Sequence, residues 1–365
     1  MHNIEIRTIN GIEVPSFVEN GSKEIAWHEL GERVNGCLTA ADALKKAHAD
    51  YDVAAQPIVA LTPEMMLKIE TGIGLTSDEV KNMIIEGQRA TMRTDHNETL
   101  GIVSDNYGIV QNKDAFDFID LLTTGELGSS TPVIECAGVL GKGERIFITA
   151  RFPENFQIDG KEDIINNYAV FTTSHDGMGA VSCMITPIRV VCQNTLNIAF
   201  HKNNGKLSFR HTKYVNERMD LLNKENAKNA YRTLNLYQTY TEVFKEKLAA
   251  LAAKRLTDNE VKDIVAKTML SEDAYKIFKL SDFGINSDEI STRSRNLVEN
   301  MTATLYQGVG QNILEPNTGI WLINGISTYY QNTANFKDNT KKFESIMEGH
   351  AQNKLQTAYD AVMAA

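Results

Sequence analysis

Apolar and polar positions along the chain change period twice. In the first third the pattern is helical and broken into two or three short pieces. Thr39-Ala-Ala-Asp42 has the spacing of a capping box and opens a run to about Ala49, while Thr62 stands as an N-cap before Pro63 at N1 and Glu64. From Gln88 the period shortens to two. Arg89 to Thr94 and Glu98 to Ser104 read as strands joined by Asp95-His-Asn97, with Leu100 and Ile102 on one face. Asn112 is placed to cap a helix on which Ala115, Phe116, Ile119 and Leu122 share a side as far as Gly125.

A second hairpin is signalled more sharply. Pro132 to Leu140 and Glu144 to Phe152 flank Gly141-Lys-Gly143, a turn with two residues that tolerate positive φ. Asn166 to Ser174 and Ala180 to Val191 follow as strands around His175-Asp-Gly-Met-Gly179, and Asn194 is expected to begin a short helix to about His201. Lys206 to Tyr214 alternates again, with Leu207 and Phe209 on one side and Lys206, Ser208 and Arg210 on the other. Beyond Val215 the period is helical almost to the end, including a capping box at Thr257-Asp-Asn-Glu260. Trp321, Ile323, Ile326 and Tyr330 are spaced as a buried helix face.

These elements predict an α+β protein: a central antiparallel or mixed sheet built from hairpins with flanking helices, followed by an all-helical C-terminal region. The expected divisions are a helical and extended segment over 1–87, an α+β core over 88–214 and a helical region over 215–365.

Composition narrows the class. Of 365 residues 42% are hydrophobic and 23% charged, which places the chain among globular proteins. Its longest apolar stretches, such as Leu248 to Ala253, are far too short to span a bilayer, and the N-terminus lacks a signal-peptide pattern, so a cytoplasmic protein without membrane contact is expected. Cys37, Cys136, Cys183 and Cys192 form no C-x-x-C pair and are read as reduced, mostly buried thiols.

The net charge of -10 conceals a gradient. Residues 1–175 sum to -13, whereas residues 176–256 carry 13 basic and 6 acidic side chains. Within that basic stretch Lys202, Lys206, Arg210 and Lys213 are interleaved with Phe200, Phe209 and Tyr214, and Asn203-Asn-Gly205 supplies a turn. Cations that follow phosphates beside aromatic faces that stack bases are the ingredients of a single-strand site. With Arg189 added, five neutralised phosphates correspond to a salt slope of about -3.5. The competing account makes Phe209 a core residue and the cations the solubility charges of an edge strand.

Ser174-His175-Asp176-Gly177 combines a base and a carboxylate, enough for a metal or acid-base site only if Asp95, His96 or His211 comes near. The alternative is a turn whose Asp176 accepts backbone hydrogen bonds. Cys192, with His175 and Asn194, has the residue types of a thiol nucleophile, but it follows Val190 and Val191 in an apolar strand, where an inert packed thiol is expected. No phosphate-binding glycine loop, dinucleotide fingerprint or H-e-x-x-H zinc motif occurs.

Several segments resemble a bacterial, phage and plasmid family, the domain of unknown function 932: Trp27-His-Glu-Leu-Gly31, Arg93-Thr-Asp95, Leu100 to Tyr107, Ala137 to Gly143, Ser174-His-Asp-Gly177, Thr186 to Leu196, and Thr318 to Tyr329. That resemblance implies a mobile-element setting among replication and recombination functions and brings no assigned activity. The order of hairpins followed by a helix, with basic residues near the turn, also resembles the core of single-strand annealing proteins such as RecT and Red-beta.

The expectation drawn from all this is a non-enzymatic factor that binds or anneals single-stranded DNA, acting as an oligomer and needing no cofactor. Its contact residues would be Arg189, Lys202, Lys206, Arg210, Lys213, Phe200 and Tyr214. Two alternatives stand beside it. One is a nuclease-like enzyme using a divalent metal at His175 and Asp176; the other is a protein-binding factor that counters a host defence through the acidic first half.

Overall fold

Turn chemistry sets the sheets of this protein. The computed structural model describes residues 4–21, 31–117, 119–123, 131–157, 164–189, 194–195, 206–213, 226–281, 290–337, 341–342, 345–346 and 349–365. Asn10 and Gly11, both at positive φ, close a hairpin between β1 (Ile6–Ile9) and β2 (Ile12–Pro15). Gly141 and Gly143, at φ 70° and 107°, likewise close β8 (Val133–Leu140) onto β9 (Arg145–Gln157). The turn around Gly177 (φ 78°) joins β10 (Ile164–Ser174) to β11 (Val181–Arg189).

Strands β8 to β11 form the middle of a mixed sheet. Beyond β8 come β3 (Phe17–Asn20) and, parallel to it, β4 (Glu32–Val34). Beyond β11 come β12 (Asn194–Thr195) and β13 (Lys206–Phe209), both paired to the side of β11 that faces away from β10. A second sheet of three strands is built from β5 (Val53–Val59), β6 (Ile84–Arg93) and β7 (Thr99–Ser104). The fold is therefore α+β, as the patterning predicts.

Short helices are fixed by their caps. Thr39 accepts from Asp42 N–H at the start of α1 (Ala40–Lys46), and Thr62 caps α2 (Pro63–Glu70) with proline in its first turn. Next come α3 (Ser77–Lys81), α4 (Asn112–Phe116) and α5 (Ile119–Thr123). The C-terminal region holds α6 (Asn226–Ala253), α7 (Asp258–Met269), α8 (Glu272–Leu280), α9 (Thr292–Gln307), α10 (Gly319–Thr328) and α11 (His350–Ala364). Tyr237, Tyr240, Phe244, Leu248 and Leu251 form the buried stripe of α6, and Tyr237 stacks on Phe152 of β9 at 3.6 Å between ring centroids. Helix α10 is buried on every side, so the face predicted from Trp321 and its neighbours is part of a fully enclosed helix. Among the described residues the main hydrophobic core draws on residues from Val18 to Val362, and a small second cluster joins Val170 and Met184.

Three expectations need correction. Asn112 does not cap α4: Gln111 occupies the cap position, and the Asn112 amide turns inward to donate to the carbonyls of Ala49 (2.8 Å) and Tyr51 (3.3 Å). Asn194 and Thr195 are not helical but form β12, where Asn194 pairs with Arg189 because the side of β11 away from β10 offers a ladder, and the rest of the helix expected to His201 lies outside the described residues. Leu100 and Ile102 do not share a face. A bulge between Thr91 and Met92 shifts the register, leaving Leu100 and Val103 buried and Ile102 61% exposed. Of the cysteines, Cys37 is exposed, Cys136 half-buried and Cys183 buried, and Cys192 lies outside the described residues. Among the described residues no helix is long and apolar enough to cross a membrane.

Candidate nucleic-acid interface

The described basic candidates lie on β11 and on the strand and segment beside its outer side, which β12 and β13 cover. Lys206 is paired with Met184, Phe209 with Val181, and Arg189 with Asn194, so β13 and β12 lie one after the other along that edge. From Arg189 to the partner of Phe209 is eight residues of strand, about 25 Å at 3.3 Å per residue. Phe209 packs half-buried against the core, which fits the structural account of that ring. Past Phe209 the alternation holds for two residues, Arg210 exposed and His211 buried, and then ends, Thr212 and Lys213 both being exposed. Neither cation forms an ion pair with a carboxylate among the described residues. Phe200, Lys202 and Tyr214 lie outside those residues.

His211 anchors this segment. Its Nδ1 lies 3.0 Å from the carbonyl of Gly108, its ring stacks on Tyr107 at 4.8 Å, and Gly108 N–H donates to the His211 carbonyl at 3.4 Å. Only Nδ1–H can donate to that carbonyl, so Nε2 keeps its lone pair and has no partner. The Tyr107 hydroxyl in turn donates to the Ser174 carbonyl at 2.8 Å. Burial holds the His211 imidazole below its usual range, and it is neutral near pH 7.

His175 meets His211 edge-on, with ring centroids 6.4 Å apart. It is fully buried, and its Nε2 is 2.7 Å from Asn112 Oδ1. Since the Asn112 amide nitrogen is committed to two carbonyls, its oxygen faces His175; Nε2 therefore carries the proton and Nδ1 is a bare acceptor without a partner. Burial, with His211 alongside, pushes the His175 pKa down to about 3.

Asp176 closes the turn, its Oδ1 accepting from the Ser174 hydroxyl and from Met178 N–H (2.8 Å). Of the three candidate third ligands, His211 comes near. Asp95 is held instead by Arg93 and Arg7, and His96 lies beside Asp95 at 3.1 Å. Burial alone would raise the Asp95 carboxyl, but the Arg93 guanidinium, with His96 and Arg7 nearby, brings it down to about 2. Among the described residues no group of three or more His, Cys, Asp or Glu is arranged to hold a metal.

The three-stranded sheet docks at this same end of the large sheet. Thr91 donates its hydroxyl to the His175 carbonyl, His175 N–H donates to the Glu144 carbonyl at 2.7 Å, and Gly101 lies flat against Asp176. A Cβ on Gly101 would stand 2.5 Å from the Asp176 Cα, and backbone on both sides leaves nothing to yield. Gly101→Ala is thus expected to cost about 1–3 kcal/mol, read as a lowered midpoint in a thermal or urea melt. A midpoint equal to the parent's would contradict the close approach.

Segments far apart in sequence converge here: Arg93 to Asp95, Leu100 to Tyr107, the 141–143 turn and the 174–177 turn. Arg93 donates to the Lys142 carbonyl at 3.1 Å, and Tyr51 donates its hydroxyl to the Gly143 carbonyl. The sequence alone misses Asn112, Tyr107 and Tyr51 as members of this cluster, because nothing local marks a polar side chain that turns inward to a partner many residues away.

No curated protein and no solved structure matches the chain. A family model described as a domain of unknown function (DUF932) matches residues 99–347, well over half of the sequence and all of the sheet from β7 onward. The chain belongs to the domain of unknown function 932 family.

Proposed function

We propose that this protein binds single-stranded nucleic acid, DNA in the first instance, along the side of the large sheet formed by β12 and β13, as a binding or annealing factor without catalysis of its own. The observation that carries this reading is the gathering of Arg189 on β11, Lys206 on β13 beside it, and Arg210 and Lys213 in the segment that follows β13, the last two exposed and free of carboxylate partners among the described residues. An edge of about 25 Å is long enough for the four or more nucleotides that a single-strand site holds. The rest of the chain is acidic, which confines a polyanion to this strip. His211, locked between Gly108 and Tyr107, keeps the two exposed cations in place.

Fluorescence anisotropy with a labelled oligonucleotide at several salt concentrations tests this. Four phosphate contacts predict a slope of log K against log salt of about -3 for a single strand. No binding at low salt, or binding indifferent to salt, would overturn the reading.

A further inference from the structure

The turn between β10 and β11 presents one large apolar side chain to solvent: Met178, 73% exposed. The turn beneath it is tightly fixed. Met178 N–H and the Ser174 hydroxyl both donate to Asp176 Oδ1, and Gly177 takes a φ of 78°, which glycine adopts without strain. Gly179 passes so close that a Cβ there would stand 2.7 Å from the Ser174 Cβ, and Gly101 packs flat on the Asp176 backbone. Two routes tie this turn to the exposed cations. Along the ladder Val181 pairs with Phe209; Met178 precedes the first by three residues and Arg210 follows the second by one. Even with both arms drawn straight out, the Cα atoms of Met178 and Arg210 lie within about 20 Å of each other. Across the turn, the Tyr107 hydroxyl donates to the Ser174 carbonyl at 2.8 Å while the Tyr107 ring stacks on His211, the residue after Arg210. One tyrosine thus holds the turn and the basic segment together.

We infer that Met178 contacts the bases of the single strand whose phosphates lie on Arg210 and Lys213; this rests on the nucleic-acid reading above and adds to it a residue that touches bases. Charge orients the strand. The Asp176 carboxylate repels phosphate, so the sugar-phosphate backbone keeps to the side of Arg210 and Lys213 and the uncharged bases face the turn that carries Met178. Methionine suits that place, because its flexible, polarizable thioether packs against an aromatic ring whatever the identity of the base. Bases within a duplex are stacked on one another and leave no free face, so a contact of this kind favours single strands.

Anisotropy with the full chain tests the inference, using a labelled oligothymidylate and a labelled strand of equal length made of abasic sugar phosphates. Met178→Ala is expected to weaken binding to the oligothymidylate by about three- to tenfold. The slope of log K against log salt stays as in the parent, since no phosphate contact is lost, and the abasic strand is bound as the parent binds it. Met178→Trp is expected to bind the oligothymidylate with quenching of the added indole emission, as bases stack on it. Binding by the parent together with an unchanged affinity in Met178→Ala would overturn this inference alone. So would an equal loss on both strands, or indole emission in Met178→Trp that stays constant to saturation. A parent that binds neither strand would remove the nucleic-acid reading and this inference with it.

Discussion

Arg93→Met is expected to destabilise the protein by about 3–5 kcal/mol, the range for stranding one member of a buried ion pair. The Arg93 side chain is wholly buried, and every edge of its guanidinium is used. Nε and Nη2 donate to the two oxygens of Asp95 at 2.9 Å each, and Nη1 donates to Glu5 and to the Lys142 carbonyl. The flat face lies 3.7 Å from the centre of the Tyr51 ring. Methionine fills much of the volume but strands the Glu5 carboxylate, which is 7% exposed and among the described residues keeps only the Ser16 hydroxyl at 2.7 Å. Lysine does not substitute either, because an ammonium cannot reproduce the planar fork toward Asp95. Removing both charges, as in Arg93→Met with Glu5→Met, is expected to recover a large part of the loss, since the penalty is that of an unpaired buried charge. Urea unfolding of the single and double variants reads both terms; a loss below about 1 kcal/mol for Arg93→Met would contradict the buried network.

Acid destabilises this fold through its two buried histidines. His175 has a folded pKa near 3 against an ordinary value of 6.5, and His211 is lowered in the same direction by burial. Above pH 6.5 both imidazoles are neutral whether the chain is folded or not, and neither contributes. As pH falls from 6.5 toward 3, the unfolded chain takes up a proton at position 175 that the folded chain refuses. Stability then falls by about 1.4 kcal/mol per pH unit from that residue. At pH 5 the loss is about 2 kcal/mol from His175, with His211 adding to it. His175→Gln keeps an N–H donor toward Asn112 while removing the titration, so its stability should decline less steeply over this window than that of the parent. Parallel pH slopes for the two proteins in urea melts at pH 7.5, 6 and 5 would contradict the burial of an unprotonated His175.

The hairpins were legible because their turns state their own geometry: Gly141 and Gly143 had to be at positive φ, and the strands beside them alternate. The period misses the hairpin of β1 and β2, although Asn10-Gly11 carries the same turn chemistry, because the first third reads by its helical pieces. Strands β3 and β4 are different. They are four and three residues long, and β3 finds its place by pairing with β8, whose partner residue Gly138 is more than a hundred positions from Phe17. Period alone also misplaced Ile102, since a bulge inverts the face of every residue beyond it.

The site was legible as a list of residue types and not as an arrangement. Exposure of Arg210 followed from the alternation of residues 206–210, whereas that of Lys213 did not, since it falls on the side of Phe209 and is exposed because the alternation ends at His211. That His211 between them would reach Tyr107, Gly108 and His175 required the turn of the large sheet and the end of the small one to be brought together. Asn112 shows the limit most plainly, because a helix-capping residue type in a capping context was claimed instead by two carbonyls and an imidazole.

Charge reversal in the exposed segment that follows β13 is the most direct measurement. Arg210→Glu with Lys213→Glu, compared with the parent in low-salt anisotropy against a labelled single-stranded oligonucleotide, is predicted to weaken binding by about tenfold or more and to flatten the salt slope by about one to two. Unchanged affinity and slope in a variant that melts like the parent would contradict a phosphate track on this edge.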